Sequence, residues 1–279
     1  GLFRIRTFTA SVMAMFLAAM GFFAAVVFLP RWFQIVQGAS ATESGYQILP
    51  LLLGLIVSAI TAGQIVARTG RYKTLIVGAL VLMAGGLFLL TNLRPDTPQP
   101  LLWLWMLVAG LGVGPTFAVF TLAVQNAVPP RDLGTATSSL TLFQQVGGTV
   151  GLAITGTMFG SSLLEEVPRQ LMNAGVPAQF ADQFAGDSAA FNDLTSVGDM
   201  GAAILAQVPE QARALVEPMI PAIVSGIHTA FSIATGATFV VGIITALLAA
   251  LFVFVVMPAG KMGETVEPLP RELAEPAAE

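Results

Sequence analysis

Six stretches of this sequence contain no Asp, Glu, Lys or Arg: 8–29, 47–66, 75–92, 101–125, 139–161 and 227–256. A helix needs about 20 apolar residues to cross a bilayer core of about 30 Å, and every stretch approaches or exceeds that length. A soluble helical bundle would carry polar faces at helical period, which these stretches lack. The strands of a transmembrane barrel alternate apolar and polar over about 10 residues, and these do not. The stretches predict an all-α membrane protein with six transmembrane helices. Composition agrees: 55% of residues are apolar and 10% charged, against about 25% charged in a soluble domain.

The same features exclude several functions. A net charge of −4 speaks against nucleic acid as a partner. There is no cysteine, hence no disulfide or thiolate chemistry. His228, the one histidine, does not by itself build a histidine metal site, so no metal and no cofactor is expected. The first stretch is too long for the core of a signal peptide and is read as a span. The chain opens at Gly1 and enters that span almost at once, so a fragment is expected.

Six spans put both termini on one side. Segments 1–7, 67–74, 126–138 and 257–279 then hold eight Lys and Arg, and the opposite side holds Arg31, Arg94, Arg169 and Arg213. The last two fall in a long loop, 162–226, and are discounted, which places both termini in the cytoplasm. Trp32, Trp103 and Trp105 flank outer span ends, as an interfacial aromatic belt would. The loop carries eight acids against two arginines, with Phe180, Phe184 and Phe191 among its apolar residues. Short amphipathic helices are expected there, one starting near Pro209. From Pro258 the Pro/Glu/Ala-rich tail is expected to be disordered.

Within the spans, small residues recur four apart: Gly54, Ser58 and Ala62; Gly110 and Gly114; Gly147 and Gly151; Gly156 and Gly160. Helices associate in lipid through such close contacts, which marks spans two, four and five as the crowded ones. Pro115 removes a backbone hydrogen bond and is expected to kink span four. No intramembrane charge marks an ion path. The deepest polar side chains are Gln64, Gln144 and Gln145, and successive residues point about 100° apart, so at most one of the glutamine pair faces a given groove. Met13, Phe16, Met20, Phe23 and Val27 form a stripe on span one, which fits either an adaptable apolar cavity or helix packing.

Three segments go beyond composition. Phe28–Pro50 reads FLPRWFQIVQGASATESGYQILP, a span ending in Leu-Pro followed by an aromatic/Gln segment and a new span. Gly63–Lys73 reads GQIVARTGRYK. Val128–Phe159 reads VPPRDLGTATSSLTLFQQVGGTVGLAITGTMF. Together they resemble the C-terminal half of a major facilitator superfamily transporter, with the nearest likeness to the fourteen-span drug:proton antiporters. Gly63, Arg68, Gly70 and Arg71 match the superfamily's loop motif Gly-x-x-x-Asp-Arg-x-Gly-Arg-Arg/Lys. Its Asp position is Ala67, and its last basic position is Tyr72, with Lys73 next. Gly147, Gly148, Gly151 and Gly156 resemble that branch's pattern in the penultimate span.

The resemblance implies six helices built as two inverted three-helix repeats, one half of a major facilitator fold. Spans one and four would line the cavity, with Phe16, Met20, Phe23, Gln144 and Gln145 as candidate substrate contacts. Gly63, Arg68, Gly70, Arg71 and Lys73 would form the conformational loop, and Gly110, Gly114, Pro115, Gly147, Gly151 and Gly156 the helix-packing set. The implied function is proton-coupled export of hydrophobic or amphipathic compounds across a bacterial-type cytoplasmic membrane. The implied partners are the bilayer, a small-molecule substrate, protons and the N-terminal half, or a second copy in its place. A non-transporting scaffold acting through loop 162–226 is the alternative of another class. An enzyme is not expected: Glu165-Glu166-Val167-Pro168-Arg169 resembles a Glu-Glu…Arg protease signature but is one residue short and contains proline.

Overall fold

The computed structural model describes residues 1–177, 200–207, 213 and 216–258. Six long helices dominate them: α1 (Arg6–Val36), α3 (Leu49–Thr69), α4 (Lys73–Leu90), α5 (Gln99–Ala127), α6 (Leu133–Asn173) and α8 (Ile220–Val256). A short helix, α2 (Ala41–Gln47), precedes α3, and another, α7 (Met200–Gln207), lies between α6 and α8. The chain turns into α2 at Gly38, whose φ of 67° favours glycine. Ser40 and Glu43 then form a capping box, each side chain accepting from the other's backbone N–H, at 3.2 and 2.8 Å. The box satisfies two otherwise orphaned donors.

The helices run alternately up and down. One apolar cluster gathers Phe8 of α1, Val66 of α3, Ile76 of α4, Val124 of α5, Ala136 of α6 and Val253 of α8 at one end. A second gathers Trp32, Leu51, Leu90, Leu102, Val167 and Ile227 at the other.

The packing has an internal two-fold pattern. Helices α1, α3 and α4 form one triplet, and α5, α6 and α8 the next in opposite sense. Helix α3 packs on α5 of the other triplet, and α6 packs on α1. Helix α4 packs on α5, and α8 on α1; α4 meets α8, and α1 meets α5. Exchanging the triplets maps these contacts onto themselves. The α6–α8 contact departs from this symmetry, for α3 and α4 are not comparably packed. It continues to the C-terminal end of α6 and the N-terminal end of α8, where a Cβ added at Gly226 would lie 3.2 Å from the Gln170 carbonyl oxygen.

Glycines make the crossings close enough. At α3–α5, a Cβ added to Gly54 would lie 2.6 Å from the Leu107 carbonyl oxygen, while Gly110 and Gly114 abut the Leu51 and Leu55 carbonyls. The matching α1–α6 crossing sets Gly147 and Gly151 against the backbones of Phe16 and Met20. At α1–α8, Gly21 faces Gly242, and a Cβ on Gly21 would lie 2.6 Å from the Gly242 Cα. Without a hydrophobic drive between helices in lipid, such backbone approach supplies dispersion contact instead.

The six expected spans correspond to the six long helices, and three features depart from the sequence reading. Among the described residues, five of the helical segments are long and apolar enough to cross a membrane by length and composition: 6–36, 41–69, 73–90, 99–127 and 217–256. Helix α6, which holds the expected fifth span, is long enough but too rich in Thr, Ser, Gln and Gly to join them; absence of charge is not the same as apolarity. Span one does not end at Leu29-Pro30. Pro30 lies inside α1, and the turns beyond it are held by burial of Trp32, Phe33, Ile35 and Val36. Residues 162–173, expected in the outer loop, continue α6, and α8 starts at Ile220 rather than 227. Gly156, expected to pack, would meet nothing within 4 Å of an added Cβ, because it lies on the exposed side of α6.

At about 1.5 Å per residue, α1, α6 and α8 all exceed the bilayer core. The ends of these three helices near Trp32 share an apolar cluster in which Ile204 of α7, Val176 and Val216 are buried with Trp32, Leu171 and Ile223. Pro209, Phe180, Phe184, Phe191 and the tail beyond Pro258 lie outside the described residues.

Candidate functional site

Helix α1 is the most enclosed span, touched by α5, α6 and α8. Its Met/Phe stripe runs along the edge of the α6 crossing, where Phe16, Met20 and Phe23 meet Gly147, Gly151 and Gly148. Met13 and Val27 are exposed, Phe16 and Phe23 half-buried and Met20 buried. The Phe23 ring lies over Gly148, 2.7 Å from the position a Cβ would take there. It packs edge-on against Phe22 at 5.6 Å, and Phe22 packs edge-on against Phe117 of α5 at 5.3 Å. Phe23 therefore bridges the glycine face of α6 and the aromatic contact between α1 and α5.

The two glutamines separate. Gln145 is exposed, whereas Gln144 is half-buried on the side of Gly147 and Gly148. Pro115 is buried within the uninterrupted helix α5. Gln64 of α3 is exposed.

At the opposite end from Trp32, α3 stops at Gly70, whose φ is 67° and whose N–H donates to the Val66 carbonyl at 2.8 Å. This is a left-handed helix stop. Thr69 reinforces it, its hydroxyl donating to the Ile65 carbonyl at 2.6 Å while its oxygen accepts from the Arg71 N–H at 3.3 Å. Arg68 and Arg71 are exposed, and Gly63 has open space at its Cβ position. Lys73 Nζ lies 5.4 Å from the centre of the Phe254 ring of α8, within cation–π range. Tyr72, at the motif's last basic position, is buried, and its hydroxyl donates to the Pro258 carbonyl at 3.2 Å. Tyr72 and Lys73 thus tie the α3–α4 turn to the end of α8. Sequence reading had treated Tyr72 only as a mismatch.

A second tie was also not foreseen. The Trp32 indole N–H donates to Ser232 Oγ at 2.8 Å, and the Ser232 hydroxyl donates to the His228 carbonyl at 2.7 Å. The pair is buried and joins α1 beyond Pro30 to α8. His228 itself is half-buried. The Glu-Glu…Arg segment lies on one face of outer α6: Glu166 accepts from Arg169 at 3.3 Å and from Gln170 at 2.8 Å. Those are ordinary i,i+3 and i,i+4 helix pairs.

A membrane bundle whose two triplets run in opposite sense and interchange their contacts defines the class of inverted-repeat transporter halves. A solved structure of a bacterial homologue of the human lysosomal transporter Spinster, inward-facing and unoccupied, superimposes with a TM-score of 0.58 at 16% identity, over 91% of this chain and 50% of that one. At that identity the likeness concerns the fold alone. A profile of the Major Facilitator Superfamily matches residues 1–152. Multidrug transporter protein MdtP of Bacillus subtilis (strain 168) is 32% identical over 252 residues, covering 85% of this chain and 46% of MdtP. A tetracycline resistance determinant of Streptomyces rimosus is 34% identical over 154 residues, covering 55% of this chain and 44% of its own. The chain belongs to the Major Facilitator Superfamily. It spans about half the length of these relatives, from 44 to 46%.

Proposed function

We propose that this chain is the C-terminal half of a proton-coupled exporter that moves hydrophobic or amphipathic small molecules out across a bacterial-type cytoplasmic membrane, with both termini cytoplasmic. The observation that carries the reading is the extent of its likeness to a relative named as a multidrug transporter, which reaches across nearly all of the chain rather than one motif. The open side of the bundle supports it. The half-buried rings of Phe16 and Phe23 at the edge of the α6 crossing, with Met20 packed behind them, would offer an aromatic wall suited to varied apolar ligands, and Gln145 adds one amide.

The N-terminal half would close that open side and carry the membrane-embedded acidic residues that proton coupling needs. The turn at Gly63, Arg68, Gly70, Arg71 and Lys73 would meet that half as the two rock, with its free cations toward the anionic inner leaflet.

The test uses the full-length protein in inverted membrane vesicles. Energised vesicles should accumulate ethidium, and collapsing the pH gradient should abolish the accumulation. Accumulation that survives collapse of the gradient would remove proton coupling; none under any condition would remove the export reading.

A further inference from the structure

Helix α6 presents two exposed ridges side by side. One is apolar: Leu142, Val146, Val150 and Ile154 are all exposed at four-residue spacing. The other, one residue earlier in phase, is polar: Thr141, Gln145 and Thr149 are all exposed. Successive members stand about 6 Å apart along the axis. The polar ridge sets α6 apart from the other five long helices in composition. The exposed Gln145 carboxamide at its centre does not suit lipid, where an unsatisfied polar group is costly.

The hydroxyls of this ridge are already committed. Thr141 donates to the Thr137 carbonyl at 3.1 Å, and Thr149 to the Gln145 carbonyl at 2.9 Å. A hydroxyl has one proton and two lone pairs, so each exposed threonine spends its donor on its own helix and keeps only acceptor capacity for a further partner. The Gln145 carboxamide between them supplies a further acceptor, and its NH2 a donor. By helical phase, Thr141 and Gln145 lie on the side of Gly148 (i−7 and i−3), the residue covered by the Phe23 ring. The acceptors therefore border the α1 stripe.

We infer that Thr141, Gln145 and Thr149 form an acceptor ladder that selects substrates carrying N–H or O–H donors beside an aromatic or apolar body, read against Phe23. This rests on the export reading above and narrows its substrate class. Because the ridge is uncharged, it distinguishes donors from non-donors, not cations from neutral molecules.

Two cationic probes separate these properties. Ethidium carries aromatic amines, and tetraphenylphosphonium has no N–H or O–H. Binding of each to the purified full-length protein in nanodiscs is measured for wild type, Thr141→Val and Thr149→Val, alongside vesicle efflux. Valine keeps the shape and removes the acceptor. Each variant should weaken ethidium binding about five-fold, the scale of one net hydrogen bond, and leave tetraphenylphosphonium within two-fold. Thr149→Ser, which restores the hydroxyl, should recover ethidium binding. Equal weakening for both probes, or loss of folded protein in both valine variants, would assign the ridge to helix contact and overturn the inference. Unchanged ethidium binding, or no ethidium binding by wild type, would also overturn it. Selective binding without efflux would sink the export reading and leave the ladder standing.

Discussion

At the scale of single residues, the fold is decided by where a side chain is missing. Gly110 and Gly156 are the same residue on similar helices, yet one abuts the Leu51 carbonyl and the other meets open space. Gly110→Ala therefore forces α3 and α5 apart and should cost about 1–3 kcal/mol, as overpacking does. Gly156→Ala meets no neighbour and should leave stability unchanged or raise it by up to about 1 kcal/mol, through the backbone entropy that glycine otherwise loses. Thermal unfolding of the two variants in detergent measures the contrast; equal Tm values would contradict it. Ser232 makes a different kind of prediction. Ser232→Ala leaves the buried Trp32 indole N–H without its acceptor and should cost about 1–3 kcal/mol, read in the same experiment. Repeats of small residues were visible in the sequence, but their spacing does not say which repeat faces a neighbour. That depends on the phase of each helix in the bundle, so Gly156 could not be separated from Gly147 and Gly151 beforehand.

At the scale of helices, the termini were less legible than the spans. Proline after leucine reads as a stop because it removes an N–H and clashes with the turn before it. In α1 that local cost is outweighed by burial of Trp32 and Phe33, and the Trp32 partner on α8, Ser232, is 200 residues away in sequence. Tyr72 is a similar case. A motif comparison registers only the lost basic residue, whereas the structure gives its hydroxyl a carbonyl at the end of α8. Tyr72→Phe should leave the global Tm nearly unchanged but raise amide exchange at residues 253–257 several-fold, since local opening there loses about 1 kcal/mol of restraint. Exchange confined to global unfolding in both proteins would show that the contact does not hold this helix end. Helix α6 was legible as an uncharged stretch, but not as the least lipid-like helix of the bundle. Counting charges cannot detect threonine and glutamine.

At the scale of the whole molecule, the sequence carried most of the architecture. Six uncharged stretches set the helix count, and the loop motifs pointed to the superfamily. The interchange of contacts between triplets could not be read from the chain, since it is a property of which helices touch. Among the described residues, α3 and α6 keep exposed apolar sides, and the proposed role follows from covering them with the other half of the transporter. The central claim is that this polypeptide is half of an exporter and does not transport alone. Proteoliposomes containing the 279-residue chain by itself, and others containing the full-length protein, should be compared for ethidium movement driven by an imposed pH gradient. Movement by the full-length protein with none by the 279-residue chain is the predicted result; gradient-driven movement by the chain alone would contradict the account.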